Sequence, residues 1–120
     1  MAVFLDHMTV YTNDKQASAD FFATVFGAKP QELRRMFAPV QVNEGLTINF
    51  EEAEAFKRGH YAFRVSDAEF NAILGRLKAA GVRYGSTTAG HDGDVYDRGG
   101  LRGFYFDDPC GHGLEVITPS

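Results

Sequence analysis

Residues 104–118 read FYFDDPCGHGLEVIT, and this stretch decides the fold because it predicts a strand, a tight turn and a second strand. In residues 104–106 two phenylalanines flank a tyrosine, the alternation typical of a half-buried strand. Residues 108–111 predict the turn, since proline fixes φ and glycine accepts a positive φ. The second strand is apolar except for Glu115, which therefore needs an explanation.

Glu115 is unusual because its neighbours Leu114 and Val116 are apolar and face the opposite side of the strand. Burying a carboxylate is costly unless a positive group lies against it. The chain offers no Lys or Arg in an obvious partner position, but His7 and His60 stand at strand positions. One interpretation is a metal ion held by these three side chains. The alternative is a half-exposed strand histidine and a solvated acid at a sheet edge.

The part of the chain before this stretch predicts a strand, a helix and a loop. Residues 60–65, HYAFRV, form the strand, and Ser66 and Glu69 form a capping box at the start of the helix. Apolar residues at helical spacing continue the helix until a glycine ends it: Phe70, Ile73, Leu74, Leu77 and Gly81. Val82 starts another strand, and the Gly- and Asp-rich residues 85–100 predict a long loop.

The first half of the chain shows the same order of elements. Residues 2–12 predict a strand, with Leu5, His7, Thr9 and Tyr11 on one face. A helix follows from a cap at Asn13 or Asp14 to about Phe26, and Gly27 is a typical residue after its end. Three more strands are predicted over residues 31–37, 40–43 and 46–50, followed by a polar connection over 51–59.

This order is an internal repeat of a strand, a helix and three strands. It predicts an α+β fold of two βαβββ modules, at about residues 1–52 and 59–120 of a single domain spanning 1–120. The two modules are expected to form curved mixed sheets that face one cleft.

The repeat also predicts the centre of that cleft. It puts His7 and His60 at equivalent strand starts, and it puts Thr47 where the second half has Glu115. We therefore expect His7, His60 and Glu115 to converge on one divalent ion, such as Fe, Mn, Zn or Ni. Two histidines and one carboxylate leave positions open on an octahedral ion for a substrate with two adjacent oxygens.

Composition narrows the class of partner. The chain has 120 residues, 44% of them hydrophobic, which is enough for a real core. A net charge of −4 argues against nucleic acid or an anionic membrane as partner. The single cysteine excludes an internal disulfide and suits the cytoplasm. No signal peptide is expected, because Asp6 interrupts the apolar N-terminal residues.

Three segments carry a resemblance to a known family: residues 6–10, 60–65 and 103–115. In these segments the chain resembles a single-domain member of the vicinal oxygen chelate superfamily, which includes glyoxalase I, bleomycin-resistance proteins, fosfomycin-resistance enzymes and extradiol dioxygenases. The resemblance covers nearly the whole chain. It implies paired βαβββ modules, a homodimer and a divalent metal, with ligand positions that fall on His7, His60 and Glu115.

The match differs between branches of the family. Glyoxalase I takes a further acidic ligand from the first module, where the repeat places Thr47. Fosfomycin thiol transferases share the pattern of Thr9 and Tyr105 but have a potassium-binding loop where this chain has residues 91–100. Extradiol dioxygenases share the ligand set and a tyrosine ten residues before the glutamate, as in Tyr105. A dioxygenase-like or isomerase-like reaction on a small oxygen-rich molecule is favoured. The alternatives are thiol transfer and non-catalytic sequestration of a drug.

Further residues are candidates for the substrate side of the site. Tyr105 is on the Glu115 face, so its phenol is predicted to act in catalysis and to bind substrate, with a simple place in the cleft wall as the alternative. Thr9 shares a face with His7 and is a second predicted substrate contact, the alternative being a hydrogen bond to a neighbouring group. Arg102 could hold an anionic substrate group, with a solvated edge charge as the alternative. His91 is a spare histidine that could act as a base if its loop closes over the site.

Overall fold

The computed structural model describes residues 2–119, with the side chains of residues 2–118. Within it the chain forms two compact units, Met1–Lys57 and Arg58–Ser120. Each unit contains one helix and one mixed sheet among its described residues. This confirms the predicted α+β class, while the grouping of both modules into a single domain stays a prediction.

The first unit has the predicted βαβββ order. Its elements are β1 (His7–Thr12), α1 (Lys15–Phe26), β2 (Lys29–Pro30), β3 (Phe37–Asn43) and β4 (Leu46–Glu52). The sheet order is β1-β4-β3-β2, with β1 parallel to β4 and the other pairs antiparallel. A parallel neighbour for β1 requires a crossover, which α1 begins.

Helix α1 has capping groups at both ends. The Asp14 carboxylate accepts the Ala17 N–H at 3.0 Å, and Gly27 ends the helix in the left-handed conformation at φ 66°. The buried face includes Phe22 and Val25, and the Phe22 ring centroid lies 6.1 Å from that of Phe50 in β4. Burial of this face attaches the helix to the sheet.

Two strand predictions in this unit were wrong. The first strand begins at His7 rather than at residue 2, and residues 31–36 form no strand, whereas the predicted strand over 40–43 lies within a longer β3 that runs through Pro39. The Pro39 carbonyl accepts the Gln31 N–H, so the ring nitrogen of Pro39 lies on the same side of β3. Strand β2 has already ended there, and a residue without an N–H is therefore tolerated within β3.

The second unit has one strand more than predicted. Its elements are β5 (His60–Arg64), α2 (Asp67–Ala79), β6 (Tyr84–Gly85), β7 (Tyr96–Arg98), β8 (Leu101–Asp107) and β9 (Gly113–Pro119). The sheet order is β5-β9-β8-β6, and β7 also pairs with β8. Strand β7 lies inside the predicted loop over 85–100, so that prediction was wrong there. Strand β7 is a short ladder with Tyr96 opposite Gly103, and period-2 alternation is not visible over three residues.

Helix α2 covers one face of this second sheet. Ser66 caps it as predicted, since its Oγ accepts the Glu69 N–H at 3.2 Å. The rings of Phe70 and Phe104 meet edge to face with centroids 5.0 Å apart, and both side chains are almost completely buried. Within residues 2–119, no helix combines the length and the apolar character needed to cross a membrane.

We predict that Phe104→Ala lowers the free energy of unfolding by about 3–5 kcal/mol, because it leaves a cavity where a completely buried ring contacts Phe70, Tyr84 and Phe106. Leu33→Ala is the control, since Leu33 is 56% exposed and its loss should change stability by less than about 0.5 kcal/mol. Urea titration of both variants measures the difference. Equal stability of Phe104→Ala and wild type would show that this cluster is not the core.

Candidate metal centre

Glu115 lies in the middle of β9, between β5 and β8. Its cross-strand neighbours are Ala62 in β5 and Tyr105 in β8. Residues opposite one another share a face of the sheet, so Tyr105 and Glu115 lie on the side away from α2, which Phe104 and its partner Val116 face. Although charged, Glu115 is only 8% exposed. Strand alternation therefore directs one carboxylate to the face that the helix leaves uncovered.

His60 supplies one partner for this carboxylate. Its Nε2 lies 3.0 Å from Glu115 Oε1, and because an ionised carboxylate only accepts, Nε2 carries the proton in this arrangement. The imidazole is half exposed while the carboxylate is nearly buried. The structure thus brings together two of the three predicted metal ligands.

Tyr96 supplies the second partner, which the sequence analysis missed. Its phenol donates to Glu115 Oε2 at 2.5 Å, and the residue is 7% exposed. Tyr96 belongs to β7 and faces Gly103 in β8, where a Cβ would overlap the phenol oxygen. The ring therefore crosses β8 over a glycine to reach β9. The only signal in the sequence is a tyrosine seven residues before a glycine in an aromatic strand.

The surroundings of Tyr96 keep its phenol protonated. Burial, followed by the hydrogen bond to Glu115 and the negative charge there, raises the pKa of Tyr96 above its usual value. The Arg98 guanidinium lies 4.3 Å from the ring centroid of Tyr96, a cation–π contact that also covers the ring. The Tyr105 ring lies 5.6 Å from that of Tyr96 and 6.0 Å from that of His60. Three rings thus surround the carboxylate.

The pair of His60 and Glu115 fits a divalent ion. Two ligand atoms at right angles and about 2.1 Å from one ion lie about 3.0 Å apart. The 3.0 Å between His60 Nε2 and Glu115 Oε1 has this length, so an ion could replace the shared proton without a large movement of either side chain. Imidazole nitrogen and carboxylate oxygen are also the donors that Fe, Mn and Zn accept.

His7, the third predicted ligand, belongs to the first unit. It is the first residue of β1, as His60 is the first residue of β5. Its Nδ1 donates to the Asp6 carboxylate at 2.8 Å, which leaves Nε2 as the atom free to bind a metal. His7 lines an open groove of about 1160 Å³ in this unit, together with Gln41, Thr47 and Asn49. Its convergence with His60 and Glu115 stays a prediction.

The strand register corrects one detail of the predicted repeat. Glu115 pairs with Ala62, two residues beyond His60. The corresponding residue in the first unit pairs with Thr9, two residues beyond His7, and it is Asn49 rather than Thr47. Because the shift is two residues, Thr47 and Asn49 share a face of β4. The first unit therefore has the neutral amide of Asn49 where the second unit has the carboxylate of Glu115.

The remaining predicted substrate residues occupy different positions. Thr9 is exposed on the His7 face of β1, and Tyr105 lies directly opposite Glu115. Arg102 faces the helix side of β8, where it donates to the Asp67 carboxylate at 3.2 Å and lies 4.6 Å from the Phe70 ring centroid. The geometry thus gives no support to the predicted substrate contact of Arg102.

A second group of possible ligands lies in the turn between β8 and β9. Asp108, Cys110 and His112 bring one ligand atom each within 4.8 Å of one another. Asp108 Oδ1 already accepts the backbone N–H groups of Cys110 and His112, at 3.1 and 2.7 Å, and His112 Nδ1 accepts the Gly59 N–H at 2.8 Å. These bonds shape the turn, so we assign the group to structure rather than to metal binding.

Several known proteins are similar to this chain. The oxidase ChaP-H2 is 36% identical with a TM-score of 0.90, covering 100% of this chain and 96% of that one. The oxidase ChaP-H1 is 36% identical with a TM-score of 0.86, covering 99% and 98%. The glutathione transferase FosA of Serratia marcescens is 26% identical, covering 97% of this chain and 81% of that protein.

The match extends to a family and to its fold. The fosfomycin resistance protein FosX of Listeria monocytogenes is 23% identical with a TM-score of 0.76, covering 100% of this chain and 96% of that one, which shows a shared fold. The family model of the glyoxalase/bleomycin resistance protein/dioxygenase superfamily matches residues 4–116. That span covers most of each unit and all three predicted metal ligands, and it confirms the resemblance found in the sequence. The chain therefore belongs to the glyoxalase/bleomycin resistance protein/dioxygenase superfamily.

Proposed function

We propose that this chain is a metal-dependent enzyme that oxidises a small molecule bound through two adjacent oxygens. The observation that carries the proposal is the contact of His60 Nε2 with Glu115 Oε1 at 3.0 Å, on the sheet face left uncovered by α2. His60 and Glu115 are the proposed ligands in the second unit, and His7 is the proposed third ligand. Three protein ligands would leave open positions for a chelating substrate.

The roles of the remaining side chains follow from their positions. A divalent ion at Glu115 would supply Lewis acidity and stabilise negative charge that develops on a bound oxygen group. Tyr105 lies opposite Glu115 and is proposed to donate a hydrogen bond to a substrate oxygen. Polar side chains of the groove in the first unit, Gln41 and Asn49, offer further hydrogen bonds to an oxygen-rich molecule.

Oxidation is favoured because the two similar chains at 36% identity are both named oxidases. Thiol transfer is the second candidate, supported by the 26% identity to the glutathione transferase FosA over 97% of this chain. Sequestration of a small molecule is a third possibility, and it does not require a bound ion. Metal content and oxygen uptake separate these three.

We also propose a homodimer. Strands β1 and β5 lie at sheet edges in the described part of the chain, and exposed edges invite pairing. Val3 and Phe4, just before β1, are 92% and 82% exposed, and apolar side chains so exposed favour association. A monomer mass by light scattering across micromolar concentrations would contradict the dimer.

We predict that a chelator lowers the melting temperature of the wild-type protein, because an ion that binds only the folded state stabilises it. Glu115→Gln should fold, since the amide has a similar shape, but the chelator should not change its melting temperature. Cys110→Ser is the matched control, with a chelator shift equal to that of the wild type. His7→Ala should lose most of the shift if His7 is the third ligand.

Elemental analysis of tag-free protein purified without chelator accompanies these melting curves. About one ion per chain in the wild type and far less in Glu115→Gln is the expected result. Equal chelator shifts in the wild type and in Glu115→Gln would show that Glu115 is not a ligand. Loss of the shift in Cys110→Ser instead would move the ion to the turn of Asp108 and His112.

We further predict that the iron-loaded protein consumes dioxygen when it is given a substrate that binds the metal through two oxygens. An oxygen electrode with a panel of catechols and α-hydroxyketones measures uptake, and a thiol assay with glutathione on the same panel measures conjugation. Tyr105→Phe should reduce oxygen uptake by about 10²-fold or more while it still binds the ion. Conjugation to glutathione without oxygen uptake would favour thiol transfer. Binding of these compounds by the metal-free protein, without their chemical conversion, would favour sequestration.

A further inference from the structure

The two oxygens of Glu115 have different partners, and this difference carries an inference about Tyr96. Oε1 faces His60 at 3.0 Å, while Oε2 accepts the Tyr96 phenol at 2.5 Å. A carboxylate free to rotate could bind an ion through either oxygen or through both. Here the phenol holds Oε2 on the side of Tyr96, so Oε1 is the oxygen directed to the position beside the imidazole.

Residues of β7 and β8 fix the position of the Tyr96 phenol. Strand β7 holds Tyr96 opposite Gly103, and a side chain at residue 103 would overlap the ring, since a Cβ there would clash with both Cζ and the phenol oxygen. The Arg98 guanidinium lies over the ring at 4.3 Å from the centroid. The ring therefore lies between β8 and Arg98, and its hydroxyl reaches the carboxylate in one orientation.

We propose that Tyr96 is a positioning residue that makes Glu115 a one-oxygen metal ligand. The proposal rests on the metal centre proposed above. An ion bound by two histidines and one carboxylate oxygen keeps three of six positions open, whereas a carboxylate bound through both oxygens leaves only two. Three positions accommodate a two-oxygen substrate and one further small molecule. Tyr96 thus sets the number of groups that the site can bind at once.

A purely structural role for Tyr96 predicts something different. In that case the phenol only satisfies a buried carboxylate oxygen, and its loss would change stability without altering how the carboxylate binds an ion. If Tyr96 positions Glu115, its loss frees Oε2 to turn towards the ion, and the change is visible in the carboxylate itself. Removal of a hydrogen-bond partner from a metal ligand also weakens metal affinity, typically by about 10–100-fold.

The test compares the wild type, Tyr96→Phe and Tyr84→Phe. Tyr84→Phe is the matched control, because it removes a phenol from β6 of the same sheet, where the Tyr84 ring contacts Phe104 on the helix side. Mn²⁺ affinity is measured by electron paramagnetic resonance of the free ion. Infrared difference spectra of the Zn²⁺-loaded and metal-free proteins report the two carboxylate stretching bands, whose separation is wider for one-oxygen than for two-oxygen binding.

Tyr96→Phe should bind Mn²⁺ at least about 10-fold more weakly than the wild type and should show a narrower separation of the carboxylate bands. Tyr84→Phe should match the wild type in both measurements. Gly103→Ala is the second variant, because it displaces the ring without changing the phenol, and it should reproduce the narrower separation. Glu115→Gln identifies the bands, since they should be absent from its difference spectrum.

The outcomes separate this inference from the proposal on which it rests. Unchanged carboxylate bands in Tyr96→Phe would overturn the role of Tyr96, whatever its Mn²⁺ affinity or melting temperature. In that case loss of metal binding in Glu115→Gln would still support the proposed metal centre. If the wild type binds neither Mn²⁺ nor Zn²⁺, or if Glu115→Gln binds them equally well, the metal centre and the role of Tyr96 are both wrong.

Discussion

A nearly buried carboxylate in the middle of a sheet is the constraint on which the second unit depends. Removing a carboxylate from water costs several kcal/mol unless its oxygens find donors, and Glu115 finds one donor on each oxygen, His60 and Tyr96. Those donors come from different strands, β5 and β7, on opposite sides of the β8–β9 pair. The strand order thus explains how the charge is tolerated and why a site forms there.

Much of this arrangement could be predicted from the sequence, because local patterns and the repeat carry it. The helix cap at Ser66, the turn after β8 and the alternation around Tyr105 are short-range signals, and each describes the structure correctly. The repeat predicted equivalent strand positions for His7 and His60 because the two halves follow the same order of elements, although the start of the first strand was placed too early. These signals involve residues that are close in sequence or related by that order.

The remainder depends on register, which periodicity does not specify. Taking Thr47 rather than Asn49 as the counterpart of Glu115 was an error of two residues, and a shift of two residues keeps a side chain on the same face of its strand. Tyr96 was missed because its strand has three residues and its partner is a glycine, which contributes no side chain to a pattern. The face of Arg102 became clear only from its bond to Asp67 in α2.

Strand β7 has a consequence for the motions of the protein. It has only three residues, and Asp97 and Arg98 within it are exposed, so the buried Tyr96 ring is the main contact that holds its ladder with β8 closed. Short exposed strands open locally far more often than a whole unit unfolds, and amide hydrogen exchange follows such openings. When β7 opens, Tyr96 leaves Glu115 while His60 stays on β5. The lifetime of the hydrogen bond between Tyr96 and Glu115 then depends on local opening of β7 rather than on the global stability of the fold.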